Sequence, residues 1–437
     1  MHGWYKLWAG AIVLATALLC GPSAASAQTL VKYNEGPGLK LSNSVVLPGG
    51  GAVMTSYDTN VFYTKQGAIG SFFLTPIAHV DLATLPPQRL EGQPEGTQAV
   101  DFRLRFAAGY RAYISDNQSV KDQSNVDLDA GLSLVINPKG RYKGTISDEY
   151  VRTVTPQNLE GPGSYIRDYN VASARLDIAP GGGMLGFALG YSFTMDWWEN
   201  SFTNLAAGSK PNMFAHLITL DGKWKFLPKT AVVLNVSQGI VSRPDLVIGA
   251  VEHPDSDPFR VEAGLIGQLT YRLSATVKAG YGNGFYQAAL GRPSPASFNN
   301  ALVTAQLRWQ IATTGSLTLG FTRNFFDSLF SDYYTDNRAT LRYDHMLFSR
   351  LVLHLDGGYT YREYDGLDQA VWGITSRNDN VIEGHAGVDW RIKEWLFVGA
   401  GYDLMYVNAG RDVVFAGQPY NPSYVKHVVF FRAEVSY

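Results

Sequence analysis

His354 with Asp356, and His385 with Glu383, stand two residues apart in RLVLHLDGGYTYRE and VIEGHAGVDWRI. An imidazole beside a carboxylate is the pairing used for general-base chemistry, and hydrolysis needs a nucleophile at a matched position. No serine is so placed, and the chain has no H-E-x-x-H, G-x-S-x-G or G-x-x-x-x-G-K-[ST] motif. The four residues therefore read as hydrogen-bonding groups of a polar wall. The expectation is a chain that is not an enzyme and holds no cofactor.

A second constellation lies in VSRPDLVIGAVEHPDSDP, where Asp245, Glu252, Asp255 and Asp257 supply hard oxygen ligands of the kind Ca²⁺ takes. Their spacing lacks the regular loop of an EF-hand, so a solvated loop without metal is expected. The apolar centre, Leu246-Val247-Ile248, is unusual for such a loop and predicts a segment that folds into a barrel mouth. Cys20 is the only cysteine. It lies in the leader described below, which excludes disulfides and thiolate sites from the mature chain.

These residues need elements to hold them, and the elements are legible as period two. DFRLRFAAGYRAYI places Asp101, Arg103 and Arg105 opposite Phe102, Leu104 and Phe106. ALVTAQLRWQIA places Gln306 and Arg308 opposite Ala305, Leu307 and Trp309. His354, Asp356 and Arg362 oppose Leu353, Leu355 and Tyr361, while Glu383, His385 and Asp389 oppose Ile382, Ala386 and Val388. Together with Arg342, these twelve are the expected pore-lining residues of a wall carrying both signs of charge. A single-sign ring would have argued for strong ion selectivity.

The chain starts with an n-region carrying Lys6, an apolar run AGAIVLATALLC and GPSAASA before Gln28. Ala25 and Ala27 occupy the small-residue positions of a cleavage site, so residues 1–27 read as a secretory signal peptide. Residues 28–44 read as a periplasmic arm and 45–437 as the folded unit. The formal net charge of −2 becomes about −3 without Lys6, so the overall balance implies neither nucleic acid nor another polyanion as partner. Charged residues are 17% against the usual ~25%, with 45 Gly and 25 Tyr. No segment after the leader approaches the ~20 apolar residues of a helical span. Alternation on that scale points to an all-β transmembrane barrel in contact with outer-membrane lipid.

Connections alternate between tight turns such as Asn137-Pro138-Lys139-Gly140 and long polar loops such as Arg243 to Pro258. This is the asymmetry of bacterial outer-membrane barrels, and counting gives 18 antiparallel strands, within a range of about 16 to 20. Two connections depart from it: Asp327 to Asp332 is short on the outer side, and Thr84 to Gln98 is long on the periplasmic side. Aromatics in YSFTMDWWEN, NGFYQ, TRNFFDS and DYYTD are expected at the membrane interfaces. The terminal FFRAEVSY resembles the signal read by the barrel assembly machinery, with Phe431, Val435 and Tyr437 on its apolar face.

LPGGGAVMTSYDTNVFYTK, with Tyr57-Asp58-Thr59-Asn60-Val61-Phe62 inside it, resembles the opening of the Putative beta-barrel porin 2 family. The resemblance implies an outer-membrane barrel of a Gram-negative bacterium. It also implies a role beside polysaccharide-export proteins of the periplasm, with carbohydrate as cargo. A sugar or general uptake porin and a non-conducting structural or adhesive barrel are the alternatives.

Overall fold

The computed structural model describes residues 38–85, 99–154, 160, 166–180, 183–199, 209–248, 251–415 and 418–437. The leader and the Gln98 end of the long Thr84 connection lie outside the described residues. Eighteen long strands form the wall. The first six are β1 (Gly49–Asp58), β2 (Ser71–Thr84), β3 (Val100–Ile114), β4 (Asn125–Ile136), β5 (Tyr142–Thr153) and β6 (Arg167–Ile178). Then come β7 (Leu185–Trp198), β8 (Met213–Leu227), β9 (Thr230–Ser242), β10 (Phe259–Gln268), β11 (Leu273–Asn283) and β12 (Asn299–Ala312). The last are β13 (Gly315–Asp327), β14 (Tyr333–Leu347), β15 (Leu351–Asp365), β16 (Arg377–Lys393), β17 (Leu396–Ala409) and β18 (Tyr424–Ser436).

Every strand pairs antiparallel with its sequence neighbour, and β18 pairs with β1 from Val428↔Asp58 to Ser436↔Gly50. The sheet is thus closed, which leaves no long edge to satisfy in lipid. Gly49 and Tyr437 complete the seam by exchanging backbone hydrogen bonds of 2.9 and 2.8 Å. Short strands Leu39–Lys40 and Val45–Leu47 extend the sheet beside β2.

Alternation in sequence becomes alternation in exposure. On β2, Phe72, Leu74, Pro76, Ala78 and Val80 are exposed, while Ser71, Phe73, Thr75, Ile77, His79 and Asp81 are buried. Apolar exposed residues continue around the wall as Leu104, Phe106, Leu189, Ile218, Leu220, Val277, Leu355, Val429 and Val435. That continuous apolar belt is what lipid requires, and the opposite face is the inner wall. No described helix is long and apolar enough to cross a membrane. Crossing is by strands.

The two-residue turns 228–229, 313–314 and 394–395 each adjoin a register irregularity in the preceding hairpin. A bulge there adds local twist where the strands reverse. Connections at the opposite end are longer and carry the single-turn helices α1 (Gln118–Lys121) and α2 (Gln369–Trp372). By this asymmetry the short turns face the periplasm and the long loops the outside.

Candidate functional site: the inner wall and its outer lid

The twelve residues expected along the pore fall on the face of the sheet opposite the apolar belt. Gln306 and Arg308 sit opposite Thr276 and Ser274, Arg342 opposite Asp356, and His385 opposite both Asp356 and Asp403. The pairings within the wall differ from those suggested by sequence proximity. His354 Nδ1 lies 2.7 Å from Asp344 and its Nε2 3.6 Å from Asp389, rather than against Asp356. His385 Nδ1 contacts Asp403 at 2.6 Å, rather than Glu383. Same-face residues two apart on a strand are separated by roughly 6.6 Å, whereas neighbours across the ladder approach more closely. Asp356 and Glu383 are left to Arg342 (3.6 Å) and Arg338 (2.7 Å).

The same logic runs around the barrel. Arg105 pairs with Asp129 at 3.1 Å, Arg175 with Asp221 at 2.6 Å, Lys278 with Glu262 at 3.4 Å and Arg432 with Asp389 at 2.7 Å. Asp101 and Arg103 lie near the periplasmic end of β3, where Asp101 accepts from the Thr84 hydroxyl and Arg103 approaches Asp81 at 3.6 Å. Charges of opposite sign so arranged leave no single-sign ring, the arrangement that strong ion selectivity calls for.

Exposure of the inner wall changes along the axis. Toward the periplasm Lys225, Gln306, Arg308, Arg391 and Lys393 are exposed. Toward the outside Arg362, Arg377 and Asp379 are buried. Arg362 pairs with Asp336 at 2.8 Å and stacks 4.0 Å over the Tyr334 ring. Arg377 pairs with Asp379 and lies 4.4 Å over Tyr364. The wall is wet below and packed above.

What packs it is the shortest outer connection, 328–332. Ser328 and Asp332 are 0% exposed, and Leu329, Phe330 and Ser331 are buried with them. Glu160, from the β5–β6 connection, accepts from the Ser328 hydroxyl (2.5 Å) and the Leu329 N–H (3.1 Å). His253, from the β9–β10 connection, has Nε2 2.8 Å from the Ser328 carbonyl and Nδ1 3.0 Å from the Pro254 carbonyl, so both ring nitrogens face acceptors. Arg292 donates to Asp332 at 2.7 Å and also to the Gly366 carbonyl, joining two further connections. Gly366 has φ +75°, and a Cβ there would fall 2.0 Å from the Asp332 carboxylate, so only glycine fits.

Apolar packing completes this lid. Trp198, Leu246, Ile248, Phe326, Leu329, Phe330, Tyr334, Tyr364, Leu367, Trp372 and Val413 form one buried cluster. Leu246 and Ile248 fold into the mouth, as the loop's composition predicts. The aromatics of TRNFFDS and DYYTD depart from expectation. Phe325, Phe326, Tyr333 and Tyr334 are buried in or beside the lid and do not form an interfacial girdle. Sequence alone cannot separate these two fates, because both place an aromatic at a strand end. Trp197, Tyr281, Tyr359 and Trp390 do face outward.

The carboxylates of the β9–β10 connection serve separate bonds. Asp245 accepts from Asn212, Asp255 from the Ser242 hydroxyl and the Arg243 N–H, and Asp257 from Gln287. No metal-holding group of His, Cys, Asp and Glu occurs among the described residues. Burial pushes His253 down to about 4, reinforced by nearby Arg243 and opposed by its carbonyl partners. Burial pushes Asp332 up to about 6, opposed chiefly by Arg292. Glu160 is also raised by burial, against the guanidinium of Arg362 and the Ser328 bond.

The family model described as Putative beta-barrel porin 2 matches residues 222–412, the family that the N-terminal segment resembles. No curated protein matches the chain. Among solved structures, Pseudomonas aeruginosa OpdK with vanillate aligns at TM-score 0.45 and 8% identity, covering 90% of this chain and 99% of its own. Acinetobacter baumannii OccAB3 aligns at TM-score 0.44 and 10% identity, with coverage of 90% and 99%. The Pseudomonas aeruginosa siderophore receptor PirA aligns at 0.40 and 11%, covering 90% of this chain and 80% of its own. The chain folds as an outer-membrane β-barrel closed by 18 strands, and its residues 222–412 are what match the porin family model.

Proposed function

We propose that this porin is the outer-membrane conduit for a secreted polysaccharide, loaded from the periplasm and shut from outside by its own loops. The observation that carries the reading is the axial change in the inner wall. Exposed Gln306, Arg308 and Lys225 lie toward the short turns, and the buried Ser328–Asp332 connection lies under the long ones. A hydrated wall of amides, hydroxyls and paired charges suits a flexible chain of sugar hydroxyls, which both donate and accept. A lid on the far side suits cargo that arrives from within. Its partners in this reading are periplasmic polysaccharide-export proteins, as the family resemblance implies, with the barrel assembly machinery acting at insertion.

Deletion of the gene, scored in parallel for surface polysaccharide and for uptake of small sugars, tests the reading. Loss of displayed polysaccharide with unchanged uptake is expected. Normal display with impaired uptake would replace export by the uptake-porin alternative.

A further inference from the structure

Cations on the inner wall divide into two populations. In the middle of the wall they are answered: Arg105 by Asp129, Arg175 by Asp221, Lys278 by Glu262 and Arg338 by Glu383. Toward the periplasmic end some are answered as well, Arg103 by Asp81 and Lys143 by Asp177, whereas four are not. Lys223 and Lys225 on β8, Arg308 on β12 and Arg391 on β16 have no carboxylate partner among the described residues, and Arg391 contacts only the Phe397 ring, at 5.7 Å. Lys223, Arg308 and Arg391 belong to the inward register and face the lumen, and Lys225 follows Lys223 at the register irregularity beside the turn 228–229. The outer connections carry both signs with acidic groups in excess, Glu199, Asp245, Glu252, Asp255, Asp257 and Asp368 among them beside Lys121, Lys210, Arg243, Arg292 and Arg411. A net charge near zero for the whole chain conceals this uneven distribution.

We propose that the periplasmic mouth of the lumen is a binding site for an anionic carbohydrate chain, held by Lys223, Lys225, Arg308 and Arg391. The inference rests on the conduit reading above and names the class of its cargo. Unpaired cations around a water-filled mouth raise the local concentration of anions at the entrance. Their spacing selects a chain over a small anion. β8, β12 and β16 are four strands apart, roughly 19 Å along the wall for each step at ~4.8 Å per strand. One small carboxylate reaches a single cation, whereas a chain with a charge on successive units reaches all of them. Between the cations the wall offers Thr276, Gln306, Gln310, Thr318 and Thr340, inward hydroxyls and amides that match sugar hydroxyls. The acidic excess of the outer side gives the same cargo no second resting place, so the field favours departure once the lid opens.

The test uses the full chain purified in detergent, with fluorescent oligogalacturonate and a maltooligosaccharide of matched length as probes. Oligogalacturonate should bind, more weakly as salt rises, and the maltooligosaccharide should not. The variant K223Q/K225Q/R308Q/R391Q should lose about tenfold in oligogalacturonate affinity, the scale of a few solvent-exposed charge contacts. Arg308→Gln alone should lose less, and both variants should keep the heat-dependent gel mobility of a folded barrel. Equal binding of both probes, unchanged affinity in the folded variants, or monomeric galacturonate binding as tightly as the oligomer would overturn the proposal. Binding is read without transport. Charge-dependent binding together with normal polysaccharide display in a deletion strain would therefore reject the conduit reading and leave the site standing.

Discussion

Lys426 Nζ lies 2.6 Å from the Asp58 carboxylate across the β18–β1 seam, and 3.8 Å over the Tyr63 ring. Both side chains are nearly excluded from water. Beside them the Asn60 amide donates to the Val425 carbonyl at 2.9 Å, and the Thr59 hydroxyl accepts from the His427 N–H at 2.9 Å. The Tyr57–Phe62 segment is therefore a clasp that fastens the first strand to the last.

Breaking one side of a buried ion pair strands the other charge, at a cost of about 3–5 kcal/mol. Asp58→Asn should thus lower the temperature at which the folded gel band converts to the unfolded one. Adding Lys426→Met should recover much of the loss, because the stranded ammonium is removed with its partner. A double variant no more heat-resistant than Asp58→Asn alone would show that the pair is not what holds the seam.

The lid hangs on Glu160. Glu160→Ala leaves the Leu329 N–H and the Ser328 hydroxyl without their acceptor, and each buried unsatisfied group costs about 1–3 kcal/mol. Open fraction in single-channel recordings should rise severalfold or more. Glu160→Gln keeps one acceptor oxygen and should open the channel less. An unchanged open fraction in the alanine variant would mean that the loops do not gate conduction.

His253 and Asp332 act on the lid with opposite sign as the medium acidifies. Burial lowers His253 to about 4, so the withdrawn, solvated state takes up its proton first and closure weakens as pH falls from the ordinary histidine range. Burial raises Asp332 to about 6, so the closed state takes up its proton first and closure strengthens as pH falls through that value. Glu160, raised in the same way, adds to the Asp332 direction. Relative to the parent protein, His253→Gln should close further between about pH 7 and pH 5, and Asp332→Asn should open further. Recordings that show both variants shifting in one direction would contradict the assignment.

Cysteine replacement reads the two faces and the axial change together. Arg105→Cys, Gln306→Cys and Asp389→Cys should react with a charged thiol reagent supplied from the periplasm. Leu104→Cys, Leu307→Cys and Val388→Cys should not. Asp379→Cys shares the inward register yet lies beneath the lid, where the native side chain is 2% exposed, and should stay shielded. Labelling of the leucine set instead would mean a register slipped by one residue.

Strand number and facing were readable because both depend on a local rule. Arg103, Arg105, Gln306 and Asp389 each sit between residues of the opposite polarity, and period two transmits that to the fold. The partner of each charge was not readable. His354 meets Asp344 and Asp389 because of strand stagger, which no single strand encodes. The lid was half visible: Leu246-Val247-Ile248 announced an apolar loop, whereas the brevity of 328–332 gave no sign that longer loops would cover it. Phe326 and Tyr334 looked like girdle residues because burial at the mouth and anchoring in the interface call for the same side chains.

The covered position of the 328–332 connection separates what the cell's surroundings touch from what governs closure. An antibody, a phage tail fibre or a protease meets Lys121 and Asp122, Gly291 and Pro293, or Arg411 and Asp412, all exposed on the outer loops. None of these residues holds Ser328 or Asp332. Escape from such attackers can therefore rewrite the visible tips of the loops without disturbing the latch beneath them. The covered latch has no equivalent freedom, since a longer or bulkier loop there has no room under its neighbours.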